Sequence, residues 1–228
     1  METETETETG AETGTPRERY RAQVREEVKR HAREQIAEAG ASALSLNAIA
    51  KRMGMSGPAL YRYFANRDEL ITDLVADAYR SLALALRAPA EAGADLPVLA
   101  AALRQWALAD PQRYFLLYGT PVPGYHAPSE TTVIATSIMT TLLDAAVLHQ
   151  TPAVDPGPAD ARLYTHLAHH HDWAGDHPAP SHALRRALLF WTRLHGVLSL
   201  ELAGHFTGME LDAELLYAAE AESLAGPR

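Results

Sequence analysis

The chain has no cysteine and few aromatic residues among its 228 positions. Without cysteine it forms no disulfide and no thiolate metal site, which is consistent with a reducing compartment. No apolar run approaches the roughly 20 residues of a membrane span. The N-terminus also lacks the basic and apolar regions of a signal peptide. We therefore expect a cytoplasmic protein with no membrane partner.

Motifs for catalysis and phosphate binding are missing as well. Ser199 stands outside any Gly-x-Ser-x-Gly setting, and the stretch 54–57 has no P-loop lysine. A histidine cluster at 166–171 suggests zinc at first, because two of its histidines are spaced i, i+4. Zinc requires three or four ligands, however, and cationic histidines also suit a helix C-terminus. We expect no enzyme activity, cofactor or metal; the alternative is a helical metal-binding protein without a DNA role.

The residues that are present favour helices over sheets. Hydrophobic residues make up 47% of the chain, alanine is abundant and β-branched residues are sparse. We predict an all-α protein with an N-terminal three-helix helix-turn-helix domain and a larger C-terminal helical domain. The predicted divisions are a disordered acidic tail at 1–15, the helix-turn-helix domain at 16–66, a connecting helix at 67–88 and the larger domain at 89–228. Further helices are predicted near 96–109, 111–119, 130–149, 159–173, 182–206 and 211–224.

Charge is distributed unevenly along the chain, although the formal net charge is −9. Residues 1–15 carry five Glu and no basic residue, and residues 81–228 carry 15 acidic against 8 basic residues. Residues 16–80 instead carry 12 basic against 9 acidic residues, with no acidic residue between Ala39 and Arg67. Because a DNA duplex attracts local positive charge, this segment is the candidate for nucleic-acid binding.

Helix-end signals divide this basic segment into short helices. The stretch 15–18 has the pattern of a capping box, and Gly40 is expected to end the helix that it starts. Ser45 and Ser56 are predicted to cap the second and third helices, with Gly54 in the turn between them. Such a pair exposes the first turns of its second helix, which fits a major groove about 12 Å wide.

The third helix carries side chains that suit contact with DNA. Arg62 can donate two parallel hydrogen bonds to guanine, and the hydroxyls of Tyr61 and Tyr63 can reach phosphates. Arg67 opens the fourth helix, where its charge and the helix amides both favour a phosphate. The predicted DNA-binding residues are Asn47, Ser56, Gly57, Ala59, Tyr61, Arg62, Tyr63 and Arg67.

Residues 20–70 resemble the N-terminal domain of the TetR family of bacterial transcriptional regulators. The matching residues are Leu46, Ile49-Ala50, Gly54-Met55-Ser56, Leu60-Tyr61-Arg62-Tyr63-Phe64, Arg67 and Leu70. The family often has Thr at the position of Leu46, so a hydroxyl–phosphate bond is lost there, and Lys is commoner than Arg at position 67. The resemblance implies a homodimeric regulator whose third helix contacts a roughly palindromic operator. Repression is the default expectation, because a bound dimer blocks polymerase, and activation is the open alternative.

The C-terminal half carries a second resemblance. The stretch 190–202 resembles the Trp-His-Gly (WHG) signature of one TetR C-terminal subgroup, and the stretch 110–116 also looks like that subgroup. The family implies a pocket for a small molecule here, although each aromatic residue taken singly also suits an ordinary core. The predicted lining of the pocket is Trp106, Tyr114, Phe115, Tyr118, Met139, Trp191 and His195.

A wide apolar arc on the predicted helix 182–206 suggests a dimer interface. One side of such a helix can pack in its own domain and the other against a second copy. With the helix 211–224 it could form a four-helix bundle across a two-fold axis, although ordinary core packing would give the same pattern. The predicted interface residues are Leu184, Leu188, Leu198, Leu202 and Leu215.

These expectations describe a TetR-like transcriptional regulator rather than an enzyme. Its partners would be a double-stranded DNA operator, a second copy of the chain and a small hydrophobic effector. The effector would release the operator by preferring one dimer geometry, because a ligand shifts a two-state equilibrium only through differential affinity. A helical interaction protein that has lost DNA binding is a further alternative, and the intact Tyr61, Tyr63 and Arg67 argue against it.

Overall fold

The computed structural model describes residues 15–148 and 157–225. Within these ranges there are ten α-helices, two short 3-10 helices at Ala41–Ala43 and Asp172–Ala174, and no strand, which confirms the all-α prediction. The α-helices are α1 Pro16–Ala39, α2 Leu46–Arg52, α3 Gly57–Leu60, α4 Arg67–Glu91, α5 Leu96–Ala109, α6 Pro111–Tyr118, α7 Ser129–Leu148, α8 Pro158–Leu167, α9 Ser181–Leu202 and α10 Ala213–Ala225. The expected acidic tail, except for Thr15, lies outside the described residues.

Two compact units divide the chain at Leu70 and Ile71. The described part of the first unit holds α1, α2, α3 and the first residues of α4. Apolar side chains spaced three or four residues apart on α1 and α2 form its core, as an amphipathic helix requires. The buried hydrophobic residues of this unit are Val24, Val28, Ala32, Ile36, Leu44, Leu46, Ile49, Ala50, Leu60, Phe64 and Leu70.

Most predicted helix ends in the first unit are confirmed. Thr15 and Glu18 form a capping box, in which the Thr15 N–H donates to the Glu18 carboxylate over 2.7 Å. Gly40 ends α1 with φ +77°, a conformation that favours glycine. Ser45 Oγ accepts from the Ala48 N–H over 3.4 Å at the start of α2. Ser56 has the backbone conformation of an N-cap but makes no side-chain cap bond.

Three helix ends differ from the sequence-based expectation. Helix α4 continues to Glu91, three residues beyond the connecting helix predicted at 67–88. An Arg87–Glu91 ion pair of 2.6 Å, spaced i, i+4, supports its last turn despite Pro89. Helix α8 ends earlier than predicted, before the 3-10 turn at Asp172–Ala174. Helix α9 also ends early, close to Gly204, whose φ is +77°.

Helix α9 lies at the centre of the second unit. It packs against α5, α7, α8 and α10 and buries its apolar face there. Phe190 and Leu194 are fully buried, as are Leu99 and Leu103 of α5. The Tyr217 hydroxyl of α10 donates to the Ala100 carbonyl over 2.9 Å, which satisfies a polar group inside this core.

Helix α7 is long and apolar enough to cross a membrane by length and composition alone, which the sequence-based expectation overlooked. Its residues Ile138, Leu142 and Leu143 are instead buried in the core of the second unit. A core helix of a water-soluble protein passes the same test, so one helix of this kind is weak evidence for a membrane span. Helix α7 is therefore a core element of the second unit.

Candidate functional site

The turn between α2 and α3 brings two predicted DNA-binding residues together. Gly54 adopts φ +65° in this turn, and the Met55 N–H donates to the Ala50 carbonyl over 2.9 Å. A Cβ atom added to Gly57 would lie 3.3 Å from Asn47 Oδ1, which is a tight contact. The small residue at position 57 therefore lets the first turn of α3 approach the first turn of α2.

The third helix is shorter than the sequence suggested. Only Gly57–Leu60 is α-helical, and the next three residues form a turn. Within it, the Tyr63 N–H donates to the Leu60 carbonyl over 2.8 Å, which is the i to i−3 pattern of a tightened helix end. Leu60 and Phe64 are fully buried on either side of the turn. They anchor a segment that is too short to hold its own shape.

Exposure differs among the predicted DNA-binding side chains. Tyr61 is 44% exposed, and Arg62 is also exposed. No ion pair to Arg62 occurs within residues 15–148 and 157–225, so its guanidinium faces solvent without a carboxylate. The remaining positions are exposed at Asn47 and Ser56 and half-buried at Gly57, Ala59, Tyr63 and Arg67.

Two arginines of α1 hold the turn that carries Tyr61 to Tyr63. The Arg21 guanidinium donates to the Arg62 carbonyl over 3.1 Å and lies 5.7 Å from the centre of the Tyr63 ring. Arg25 donates to the Tyr63 carbonyl and lies 4.0 Å above the Phe64 ring. These carbonyls follow a very short helix and have no partner in a longer ladder. The two guanidiniums supply hydrogen bonds to these carbonyls and so fix the turn to α1.

Glu69 of α4 completes this network. Its carboxylate accepts from the Ala65 N–H over 2.6 Å and lies 3.4 Å from the Arg25 guanidinium. The Glu69 N–H in turn donates to Asn66 Oδ1 over 2.8 Å, as in an N-cap. The turn is therefore bonded to both α1 and the start of α4.

Arg67 is less free than the sequence suggested. Its guanidinium donates to the carbonyls of Ala41 and Ser42 over 2.8 and 3.2 Å. These bonds tie the start of α4 to the short 3-10 helix that follows α1. A phosphate contact by Arg67 would have to share the same guanidinium with those carbonyls, because its five donors lie in one fixed plane.

Part of the basic charge on α2 is also neutralised. Arg52 forms an ion pair of 2.9 Å with Glu38 of α1 and lies 3.8 Å from Glu34. Lys51 is exposed, and no ion pair to it occurs in the described part of the chain. The acid-free stretch of sequence therefore meets acidic side chains from α1, and its positive face is narrower than the charge count implied.

Sequence reasoning missed Arg21, Arg25 and Gln35. Gln35 is buried on α1, and its Oε1 accepts from the Ser45 N–H over 2.9 Å, which fixes the start of α2. Arg21 and Arg25 are spaced i, i+4, so the pattern places both on one face of α1. That spacing was the available signal, but it does not reveal the carbonyls that the arginines bind.

In the second unit, four of the seven predicted pocket residues form one cluster. The His195 ring lies between those of Tyr114, Tyr118 and Trp191, with centroid distances of 5.6, 4.3 and 4.2 Å. The Tyr118 ring also meets the Trp191 ring edge-on at 5.6 Å. Short helix α6 and central helix α9 supply these rings, so the cluster joins two elements of the unit.

Buried polar groups make this cluster chemically unusual. The Tyr114 hydroxyl lies 3.0 Å from His195 Nδ1 and 3.3 Å from the His195 carbonyl. Burial lowers the pKa of His195 to about 3 and raises that of Tyr114 to about 12, so both are neutral at pH 7. Tyr118 Oη and His195 Nε2 are buried without a hydrogen-bond partner in the described part of the chain. Such atoms are uncommon in a folded core.

The other three predicted pocket residues lie apart from this arrangement. Trp106 donates from Nε1 to Ser81 Oγ over 3.1 Å, and the Arg113 guanidinium lies 4.6 Å from its ring. The Phe115 ring meets the Tyr114 ring at a centroid distance of 5.6 Å. Met139 is half-buried against the core. The cluster is thus made by Tyr114, Tyr118, Trp191 and His195.

The predicted dimer residues fall into two groups. Leu184 and Leu198 are buried in the core of their own unit, so the expectation that they meet a second copy needs correction. The reason is that the widest apolar arc of α9 faces α5, α7, α8 and α10. Leu188 and Leu202 are half-buried, and Leu215 is 68% exposed.

The histidine cluster does not form a metal site among residues 15–148 and 157–225, where no group of three or more His, Asp or Glu could hold an ion. The rings of His166 and His170 stack at 4.4 Å. His169 and His171 lie within 3.0 Å of the carbonyls one turn before them, close to the end of α8. The metal-binding alternative therefore has no support.

Known proteins resemble the chain over both units. Residues 96–224 match the family described as "Tetracyclin repressor-like, C-terminal domain", and residues 30–74 match "Bacterial regulatory proteins, tetR family". The HTH-type transcriptional regulator Rv1816 of Mycobacterium tuberculosis is 36% identical over 188 residues, which cover 76% of this chain and 78% of that protein. Regulator Mb1846 of Mycobacterium bovis gives the same values. The WHG subgroup stays a prediction.

Two solved structures also match. The regulatory protein SCO4313 is 65% identical with a TM-score of 0.84, covering 93% of this chain and all of that one. A protein with unknown function from Rhodococcus sp. RHA1 is 22% identical with a TM-score of 0.62, covering 96% of this chain and 97% of that one. At that identity, the second match shows a shared fold and nothing more.

Proposed function

Because the chain belongs to the TetR family of bacterial transcriptional regulators, we propose that it acts as a homodimeric repressor on a palindromic operator. In this proposal a small hydrophobic ligand, bound in the second unit, releases the operator. Membership in the family makes the chain a DNA-binding regulator of transcription and not an enzyme. Its place of action would be the cytoplasm, where the DNA is.

The exposed turn at Tyr61 and Arg62 is the observation that carries this proposal. A base-contacting side chain must be free of internal partners, while the backbone beneath it must be rigid. Arg62 has an exposed guanidinium, and its own carbonyl is bonded to Arg21. The fully buried Phe64 fixes the same turn. This combination of a free side chain and a fixed backbone supports a role in sequence recognition.

Each predicted DNA-binding residue takes a role in the proposal. Arg62 contacts a base edge, and the hydroxyls of Tyr61 and Tyr63 contact phosphates. Gly57 and Ala59 allow close approach of the backbone, while Asn47 and Ser56 offer polar groups at the first turns of α2 and α3. Arg67 supports the start of α4 and attracts phosphate at longer range.

Exposed apolar residues at the C-terminal end support a dimer. Leu200, Met209, Leu211 and Leu215 are between 40% and 68% exposed and belong to the end of α9, the loop after it and α10. Leu202 of α9 is half-buried, and Leu188 of the same helix is half-buried about four turns before it. The exposed residues give a second copy an apolar surface to cover. An isologous two-fold contact would present two recognition turns to two half-sites.

The aromatic cluster of the second unit supports a ligand response. Its buried Tyr118 Oη and His195 Nε2 lack partners among the described residues, so a ligand bound in the second unit that shifts α6 against α9 could give one of them a partner. A ligand that binds one arrangement of the unit better than another would shift the dimer between two states. In this proposal, the difference in ligand affinity between the two states is the only cause of operator release.

Selection of binding sites from random DNA with purified full-length protein tests the proposal. We expect an enriched sequence with two inverted half-sites whose centres lie about one helical turn, or a multiple of it, apart. Sedimentation at micromolar concentration should show a dimer. A stable monomer, or enrichment of a single unrepeated site, would contradict the palindromic homodimer while leaving DNA binding intact.

A further inference from the structure

A cavity of about 350 Å³ lies in the second unit beside α4, α6 and α7. Its volume is at the lower end of the range for small-molecule sites, which is about 300 to 1,000 Å³. The loop between α6 and α7 forms one wall. The lining residues are Ile71, Val75, Tyr79, Leu116, Leu117, Gly119, Thr120, Pro121, Val122, Tyr125, Ala127, Thr131, Thr132 and Ala135.

The lining contains no Asp, Glu, Lys, Arg or His. Two other cavities of the same unit differ in this respect. One is lined in part by Arg80, Arg87, Glu91 and Asp144, and the other by Arg104 and two glutamates. In the cavity without charged lining residues, an ionic ligand would lose part of its hydration and gain no opposite charge, which is unfavourable. The cavity therefore selects against ions.

Polar capacity in the cavity comes from neutral hydroxyls. Tyr79, Tyr125, Thr120 and Thr132 all belong to its lining. Burial raises the pKa of Tyr79, and the nearby Tyr125 adds a smaller increase in the same direction. The Tyr79 phenol therefore stays protonated at neutral pH. Hydroxyls of this kind both donate and accept hydrogen bonds. They suit a carbonyl, hydroxyl or ether oxygen on a ligand.

The cavity is linked both to the aromatic cluster and to helix α4. The Tyr79 ring on α4 meets the Tyr118 ring edge-on, with a centroid distance of 6.4 Å. Across the loop, Tyr125 Oη lies 3.2 Å from Thr72 Oγ1, also on α4. A ligand that moved the loop would therefore strain a hydrogen bond to the helix that begins at Arg67.

We propose that this cavity is the effector site and that it takes an uncharged, mainly apolar small molecule with one or two oxygen-bearing groups. The site differs from the pocket expected from the sequence, because its lining includes none of those seven residues. Tyr79 joins the two regions through its contact with Tyr118. The inference rests on the proposed ligand response and adds to it a place and a chemical class.

A matched pair of fluorescent probes tests the charge selectivity. N-phenyl-1-naphthylamine is neutral, and 1-anilinonaphthalene-8-sulfonate has the same ring system with a sulfonate. We expect the neutral probe to bind the full-length protein. The affinity of the anionic probe should be lower by a factor of about ten or more. Equal binding of both probes, or tighter binding of the anion, would overturn the inference.

Filling the cavity tests its location. Ala135→Trp on α7 places a large side chain in the lining, while Val133→Trp on the same helix changes a residue that is 70% exposed and outside it. We expect the first variant to lose neutral-probe binding by about tenfold or more and the control to keep it. Thr120→Trp, on the exposed loop side of the lining, gives the same test if Ala135→Trp does not fold. Unchanged probe binding in a folded lining variant would overturn the assignment.

The DNA affinity of the same preparations separates the two proposals. Sequence-specific DNA binding without neutral-probe binding would reject the effector site and leave the regulator function standing. Probe binding without sequence-specific DNA binding would instead reject the proposed operator recognition. Both are measured on the intact chain, so neither result depends on isolating one unit.

Discussion

Helix α1 of the first unit places Arg21 and Arg25 over the rings of Tyr63 and Phe64. In the second unit one arginine, Arg113, lies over a ring, and the other aromatic contacts join one ring to another. There, His195 lies between aromatic rings of α6 and α9. Every ring–ring pair recorded among the described residues belongs to the second unit. Aromatic rings thus support a rigid surface turn in the first unit and line a partly polar interior in the second.

The two units also differ in where polar groups without a hydrogen-bond partner lie. In the first unit, the arginines of α1 satisfy inner carbonyls, and Arg62 points its charge outward. In the second unit, Tyr118 Oη and His195 Nε2 remain inside without partners in the described chain. A surface with free donors suits a large polyanion, and an interior with free neutral atoms suits a small molecule. The variants below test that contrast.

Removal of a core phenylalanine in each unit should give the largest effects. Phe64 and Phe190 are both fully buried, and Phe→Ala in a core costs about 3–5 kcal/mol. A domain as small as the first unit is only marginally stable. We expect Phe64→Ala to unfold residues 15–70 and Phe190→Ala to weaken the second unit. Hydrogen exchange followed segment by segment measures both.

The matched pair also tests the division of the chain. If each unit has its own core, Phe64→Ala should leave the amide protection of α9 nearly unchanged. Phe190→Ala should leave α1 and α2 protected and should preserve sequence-specific DNA binding by any dimer that remains. Equal loss of protection in both halves for both variants would show one cooperative unit and remove the basis of the comparison.

Arg62→Ala should have the next largest effect. A bidentate contact to guanine contributes about 1–3 kcal/mol of discrimination, so operator affinity should fall and preference at one base position should relax. Titration with the selected operator and with single-base variants measures this. Arg33→Ala changes another exposed arginine of the same unit and serves as the control. An equal loss on random DNA would place Arg62 on a phosphate instead.

Local signals in the sequence predicted most helix starts, because capping is local chemistry. The box at Thr15 and Glu18 and the cap at Ser45 involve residues three apart, and both form as expected. Helix ends were less accurate: α4 continues past Pro89 to Glu91, although proline lacks the N–H of a helix interior, and the fully buried Leu86 lies just before it.

Long-range partners were beyond the sequence. Nothing local indicates that Arg25 binds a carbonyl 38 residues away or that Arg67 bonds to the turn after α1. Likewise, the apolar arc of α9 could not reveal which side faces the chain's own core. Leu198 is fully buried there, while Leu215 of α10 is exposed. Fold class follows from patterns, but the roles of single residues require the packing.

Acidification should reveal His195, a half-buried histidine of the second unit whose Nε2 atom is fully covered. The pKa of His195 is about 3 in the folded chain and about 6.5 when unfolded, so between these values only the unfolded chain binds the proton. Lowering the pH from 7 to 5 therefore favours unfolding, at up to about 1.4 kcal/mol per pH unit below pH 6.5. We expect His195→Asn to remove this share of the pH dependence, as measured by urea unfolding.

An exposed histidine provides the control. His182→Asn replaces an exposed histidine of the same helix α9 and serves as the matched variant. If the wild-type protein and His195→Asn lose stability equally between pH 7 and 5, the buried imidazole is not the group that titrates. The interior of the second unit would then be better hydrated than the packing of Tyr118 and Trp191 around it indicates.

The smallest effect should come from Arg25, which touches the recognition turn and, in our proposal, no DNA. Loss of its bond to the Tyr63 carbonyl should cost about 1 kcal/mol, or about fivefold in operator affinity. Affinity for random DNA should change little in Arg25→Ala. The slope of log affinity against log salt should also stay the same, because no phosphate contact is lost. Arg25→Lys should restore only part of the loss, since an ammonium lacks the planar stacking over Phe64.

Arg67→Ala gives the contrasting case. A residue that attracts phosphate should lower affinity for all DNA sequences and reduce the salt slope by about one. If Arg67→Ala instead behaves like Arg25→Ala, its bonds to Ala41 and Ser42 are its whole role. If Arg25→Ala lowers the slope, α1 itself contacts the duplex. The first unit would then bind DNA with the same guanidiniums that hold its turn, and rigidity and charge could no longer be assigned to separate residues.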